Sequence, residues 1–272
     1  MLSRLVYRIP KVIRTKLQRP YSLYVKLKDI DKDMEVKTDY ATFYINPMTY
    51  IGCSIFNRGV YEPDTSRIID KFIEPGMTAI DVGASNGVHT LRMAKRVGST
   101  GEVYAFEPSE MRFKYLEHNI KLNPYKNIKP EMKGVSNKHQ YTQFEDLGWV
   151  RMDNKNIVTK VPAVEVVTLN DYVKKNMIQK VDFIKIDTDG WEYHIIDGMR
   201  DILKRDKPII IMEMRETFHE EKTGEELVLL LSKLGYRFFS ESTIREYINE
   251  EEVIDSLKGK VINVLCLNES TN

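Results

Sequence analysis

Blocks of apolar and polar residues alternate regularly from position 77 onward. Residues 77–82 read as a strand and 86–97 as an amphipathic helix. The pair recurs as a strand over 102–107 and a helix over 109–122, and a strand over 128–135 follows the Asn123-Pro124 break. Polar, β-prone segments occupy 140–167. Buried-type strands then return at 181–187 and 208–213, with a helix over 225–234 and a closing strand over 261–267. Strands alternating with helices predict an α/β fold, a mostly parallel sheet joined by right-handed crossovers.

The front of the chain has a different rhythm. Leu2, Leu5, Val6, Ile9, Val12, Ile13 and Leu17 recur at helical spacing among basic residues, with Pro10 as a break. Three readings fit: a basic helix packed on the domain or a frayed terminus, an amphipathic segment adsorbed on an anionic membrane, and an Arg-rich targeting peptide. Residues 21–61 form a small β-rich lead-in with strand-like pieces at 23–27 and 41–45. A helix from Pro63 or Asp64 to Phe72 follows, stopped by Glu74-Pro75-Gly76. The expected division is a basic, β-rich lead-in over 1–60 and one domain over 61–272.

Composition narrows the classes. With 272 residues, 42% of them hydrophobic, the chain can bury a full core, and a net charge of +1 gives no global case for a nucleic-acid partner. Cys53 and Cys266 lack metal-ligand spacing and are expected as free thiols, which suits a reducing, cytoplasmic setting with peripheral membrane contact through the basic front at most. No run approaches the roughly 20 apolar residues of a membrane-spanning helix. Nothing in the pattern specifies an oligomer.

The candidate chemistry centres on Asp81, Gly83, Ala84, Ser85, Asn86 and Gly87, where an apolar strand ends in an acid and turns through two glycines into a helix. Such a turn lets a ligand approach the backbone and offers free N–H groups to a carboxylate or hydroxyl. A second strand closes on Glu107, twenty residues after Gly87, where an acid would accept hydrogen bonds from both ribose hydroxyls. The spacing is Gly83-x-x-x-Gly87 and not the G-x-G-x-x-G that makes room for a pyrophosphate. A nucleoside with a short zwitterionic tail, as in S-adenosylmethionine, fits better than a nicotinamide dinucleotide.

Together, Gly59-Val60-Tyr61-Glu62-Pro63, Asp81 to Gly87, Phe106-Glu107-Pro108, Asn119 with Leu122-Asn123, Thr168-Leu169-Asn170, Phe183-Ile184-Lys185-Ile186-Asp187, Gly190-x-Glu192 and Glu213 resemble the FkbM-type methyltransferases across roughly residues 59–267. The resemblance implies a Rossmann-like class I methyltransferase fold with a mostly parallel seven-stranded sheet and helices on both faces. It also implies an S-adenosylmethionine cofactor and O-methylation of a hydroxyl on a sugar, glycan or natural product. Asp81 and the turn from Gly83 to Gly87 would line the methionine part, Glu107 with Pro108 the ribose, and Ser136 and Asn137 the adenine. Asn137 stands where the family often has Asp. Thr188 and Asp189 depart from the usual Ile-Asp-Val-Glu-Gly-x-Glu pattern, which leaves room for a non-catalytic methyltransferase-like module as the rival reading.

The reactive end is expected at 185–192, where an apolar strand gives way to carboxylates and a glycine turn. Asp187 or Asp189 is the expected proton acceptor, with Glu192 and Glu213 orienting sugar hydroxyls. His219, and His194 behind it, are alternative bases; Arg215 would meet an acidic acceptor and Trp191 would stack on a sugar ring or anchor the turn. The same carboxylates suit Mg²⁺ as a less favoured alternative.

Overall fold

The computed structural model describes residues 32–142 and 163–269; the basic front segment and the piece at 23–27 lie outside them. The described chain starts with the antiparallel pair β1 (Met34–Lys37) and β2 (Thr42–Ile45), then helices α1 (Tyr50–Arg58) and α2 (Pro63–Phe72). The alternation follows: β3 (Thr78–Val82), α3 (Val88–Val97), β4 (Glu102–Phe106), α4 (Glu110–Lys121) and β5 (Ile128–Glu131). Three short strands, β6 (Gly134–Val135), β7 (Gln140–Thr142) and β8 (Val164–Val167), form a separate small sheet. The chain then runs through α5 (Leu169–Lys175), β9 (Phe183–Ile186), α6 (Glu192–Asp197), α7 (Arg200–Arg205) and β10 (Ile209–Arg215). It closes with α8 (Gly224–Ser232), β11 (Tyr236–Ser240), α9 (Glu250–Leu257) and β12 (Val261–Asn268).

The main sheet has seven strands in the order β11-β12-β10-β9-β3-β4-β5, and only β12 runs against the rest. Strand order reverses at β3: the chain winds outward through β4 and β5, then returns to β9 on the other side. Such a switch point opens a crevice at the carboxyl ends of the strands. The central strands β3, β4, β9 and β10 are buried on both faces, as a covered parallel sheet requires. Ala79, Ala105, Phe183 and Ile211 pack under α1 to α4, whereas Ile80, Phe106, Ile184 and Met212 pack under α5 to α9.

The β-rich lead-in forms the β1–β2 sheet and also carries a helix: α1 occupies its second half, with the Thr49 hydroxyl accepting from Gly52 N–H at its start. The expected strand over 128–135 breaks at Met132-Lys133, because β6 leaves the main sheet to pair with β8. The helix expected from 86 begins at Val88, since Gly87 takes a left-handed conformation at its N-cap. Helices α5, α6, α7 and α9 and strand β11 carried too few periodic turns to be read from sequence. Cys53 and Cys266 are free thiols.

Two asparagines of the quoted motifs dock the lead-in. Asn123 accepts from Thr42 N–H at 2.9 Å and donates to Thr42 O at 2.8 Å; Asn119 accepts from Tyr44 N–H at 2.6 Å and donates to Asn86 O at 2.8 Å. Asn119 therefore couples β2 to the glycine turn. Asn119→Ala leaves a buried carbonyl and a partly buried N–H unpaired and should lower stability by about 2–4 kcal/mol in urea unfolding.

Candidate active site

Parallel pairing puts the charged residues of the crevice side by side. Asp81 and Lys185 are register partners across β3 and β9, on the sheet face covered by α1 to α4, and Glu213 lies two residues past Ile211 on that same face. The Lys185 ammonium sits 3.6 Å from Asp81 Oδ1 and 3.3 Å from Asp187 Oδ2. Burial works against its charge, but the carboxylates of Asp187, Asp81 and Glu62 hold its pKa above the usual lysine range. Asp81 is 1% exposed; its Oδ2 accepts from the Thr90 hydroxyl at 2.6 Å, while Oδ1 is buried without a hydrogen-bond partner.

The turn after β3 is clamped from two sides. Gly83 N–H and Ala84 N–H both donate to Phe106 O, and a Cβ on Gly83 would lie 1.9 Å from Asp187 O. Glu107 points inward, 2% exposed, and accepts Ser85 N–H at 2.8 Å on one oxygen and Ser109 N–H at 2.9 Å on the other. Those bonds fix the carboxylate at the end of β4. Pro108 links it to Ser109, whose side chain caps α4. The buried Asp81 oxygen, the buried Glu107 and the clamped turn leading into the uncapped N-terminus of α3 suit a nucleoside with a cationic, zwitterionic tail. Ser136 is buried at the end of β6, and Asn137 donates to Asp197 at 2.9 Å.

At the other side of the crevice the loop after β9 is held from within. Glu192 is fully buried, and its Oε1 accepts from Thr188 N–H at 2.8 Å, the Thr188 hydroxyl at 2.9 Å and Gly190 N–H at 3.4 Å. The unexpected Thr188 thus supplies a donor that locks the loop. Asp189 adopts a left-handed φ of 56° and is exposed. The His219 ring lies 5.0 Å from the Trp191 ring, while the His219 backbone N–H donates to Gly190 O at 3.1 Å and the His219 carbonyl contacts His194 Nε2 at 3.1 Å. Asp187 and Glu213 are the pair that shares the crevice electrostatically. Burial, then the Asp187 charge, push Glu213 up to about 7 against the pull of Arg215, which donates to it at 2.5 Å. Among the described residues no group of three or more His, Cys, Asp or Glu side chains is arranged to hold a metal ion.

Sequence reasoning quoted Tyr61 and Glu62 without giving them a role. The structure brings Glu62 Oε2 to 2.9 Å from His89 Nε2, at the start of α3. The only sequence signal was an acid directly before the proline that opens α2.

A mostly parallel seven-stranded sheet with one reversed strand, a glycine turn after its central strand and an acid closing the next together define a class I S-adenosylmethionine-dependent methyltransferase. The family model for the methyltransferase FkbM domain matches residues 81–238, more than half of the chain, and the protein belongs to that family. Among solved structures it is similar to a protein described as an rRNA methylase from Clostridium thermocellum, with 14% identity, a TM-score of 0.48, and coverage of 77% of this chain and 96% of the other. It is similar to Aeropyrum pernix fibrillarin in complex with natively bound S-adenosyl-L-methionine, with 11% identity, a TM-score of 0.45, and coverage of 75% and 73%. A methyltransferase FkbM from Methylobacillus flagellatus shares 13% identity with a TM-score of 0.45, over 79% of this chain and 52% of that one. No curated protein matches.

Proposed function

We propose that this methyltransferase acts on oxygen, moving a methyl group to a hydroxyl of a sugar or glycan, with Glu213 as the proton acceptor. The observation that carries the reading is the neighbouring pair of carboxylates at the ends of β9 and β10, one of them, Glu213, with its pKa raised to about 7. A general base is most effective when its pKa lies near the working pH. When bound, the cofactor supplies a methyl group on a sulfonium, a good leaving group.

The chain's own residues then have separate tasks. The first N–H groups of α3, which no side chain caps, hold the methionine end and Glu107 takes the ribose hydroxyls, while Ser136 and Asn137 border the adenine. Glu213 receives the hydroxyl proton as the acceptor oxygen attacks, and Arg215 keeps its carboxylate in place. From sequence the expected proton acceptor is Asp187 or Asp189, with Glu213 orienting hydroxyls; here Asp187, tied to Lys185, holds the proton affinity of Glu213 up and orients the acceptor. Glu192 shapes the loop, and Asp189, His219 and Trp191 line the acceptor's side. An acceptor offering several neutral hydroxyls and an apolar ring face suits carboxylates beside Trp191.

The test is incubation with methyl-labelled cofactor and a panel of glycans, with RNA and protein as controls, followed by mass-spectrometric location of the label. A methyl ether on a sugar hydroxyl is expected. Label confined to RNA or to protein nitrogen would overturn the reading.

A further inference from the structure

The charge around the buried Lys185 beneath the glycine turn does not balance. Three carboxylates, Glu62, Asp81 and Asp187, act on the single ammonium of Lys185. Even with a proton on His89 beside Glu62, one negative charge is left over. Asp81 Oδ1 and His89 Nδ1 are both buried without a hydrogen-bond partner, on residues only 1% and 5% exposed. A buried carboxylate oxygen such as Asp81 Oδ1, with partly buried acids beside it, favours a counter-charge. S-adenosylmethionine is cationic overall, with a sulfonium and an ammonium against one carboxylate.

The three acids are not equivalent. Asp81 is sealed under the turn by Thr90 and Lys185, and Asp187 stands at the reacting end. Glu62 arrives from the other direction, and its side chain is 26% exposed. Its carboxylate is held by His89, the second residue of α3, and so is fixed at the mouth of the turn that ends in Gly87. Burial works to raise the pKa of Glu62, but hydrogen bonds from His89 and Tyr61 and the Lys185 ammonium bring it down to about 2, so it is ionised at any working pH. Its backbone takes a left-handed φ of 42° directly before Pro63, a conformation that a non-glycine residue preceding proline adopts at a cost. In that conformation the acid at the start of α2 reaches His89 on α3.

We infer that Glu62, positioned by His89 and Tyr61, binds the α-ammonium of the cofactor's methionine end, so that the lead-in edge of the domain reads the amino-acid tail of the methyl donor. The inference rests on the S-adenosylmethionine assignment of the turn and extends it to residues outside the matched segment 81–238. The uncapped first N–H groups of α3 take the tail's carboxylate and Glu62 takes its ammonium.

Calorimetric titration separates the contributions. S-adenosylmethionine carries sulfonium and ammonium, S-adenosylhomocysteine the ammonium alone, and 5′-methylthioadenosine neither. Glu62→Gln should weaken the first two by about 10- to 100-fold and change the third by less than about twofold. Equal weakening of all three would make Glu62 a scaffold of the pocket and overturn the inference; loss for S-adenosylmethionine alone would mean that Glu62 meets the sulfonium, and would overturn it too. Should Glu62→Gln fail to fold, Glu62→Asp carries the same comparison, with the shortened acid weakening the two tailed ligands and sparing methylthioadenosine. Wild-type protein that binds none of the three would instead sink the cofactor assignment itself.

Discussion

Gly83→Ala is expected to abolish measurable S-adenosylmethionine binding and to lower stability by about 3 kcal/mol or more. Gly83 has a φ of 81°, and an added Cβ would lie 1.9 Å from Asp187 O and 2.9 Å from Asp187 C. No side-chain rotation relieves an overlap with backbone. Either the turn lifts away from Phe106 O, losing two hydrogen bonds, or the end of β9 shifts and carries Asp187 with it. Both movements spoil the geometry between donor and acceptor sites. Gly59→Ala is the control: it has a φ of 69°, but its Cβ would meet nothing within 4 Å. It should cost only the left-handed backbone term of about 1–2 kcal/mol and leave cofactor affinity unchanged. Urea unfolding and calorimetry check both; wild-type affinity in Gly83→Ala would mean that the turn is not clamped.

The second large effect is at Glu213. Glu213→Gln should lower kcat by about 10²- to 10⁴-fold with cofactor affinity unchanged. In the wild type, kcat/KM should rise with pH through about 7 as Glu213 loses its proton, and the variant should lack that limb. Stability moves in the opposite sense. A carboxyl whose pKa is raised on folding contributes stability that is present below its unfolded range and lost as pH rises through about 7. Glu213→Gln should therefore be more stable than wild type at pH 8 while being nearly inactive, which separates loss of the base from loss of the fold. Full turnover in the variant, or an unchanged pH profile, would remove Glu213 from the mechanism.

The parts of the fold visible in the sequence were those with local signatures. The repeated strand and helix pattern, the glycine turn and the acids at strand ends are each set within a few residues, and they suffice to place the crevice at the switch point. The family resemblance was legible for the same reason. Pairings made by tertiary register were not. Lys185 lies against Asp81 only because β3 and β9 are neighbours with those residues opposite one another. Glu62 meets His89 only because α2 packs beside α3 at their starts. Glu192 shows how residue type can be read without direction: sequence marks a carboxylate near the reaction site, whereas Thr188 and Gly190 turn it inward to hold the loop. Short helices such as α1 and α9 escaped because one or two turns leave little periodicity.

A crystal structure of the complex with S-adenosylhomocysteine tests the account most directly. It should show both ribose hydroxyls on the Glu107 carboxylate, the amino-acid tail over the turn from Gly83 to Gly87, and the sulfur facing the space between Asp187 and Glu213. A ligand seated away from Glu107, or one whose sulfur faces away from both carboxylates, would contradict it.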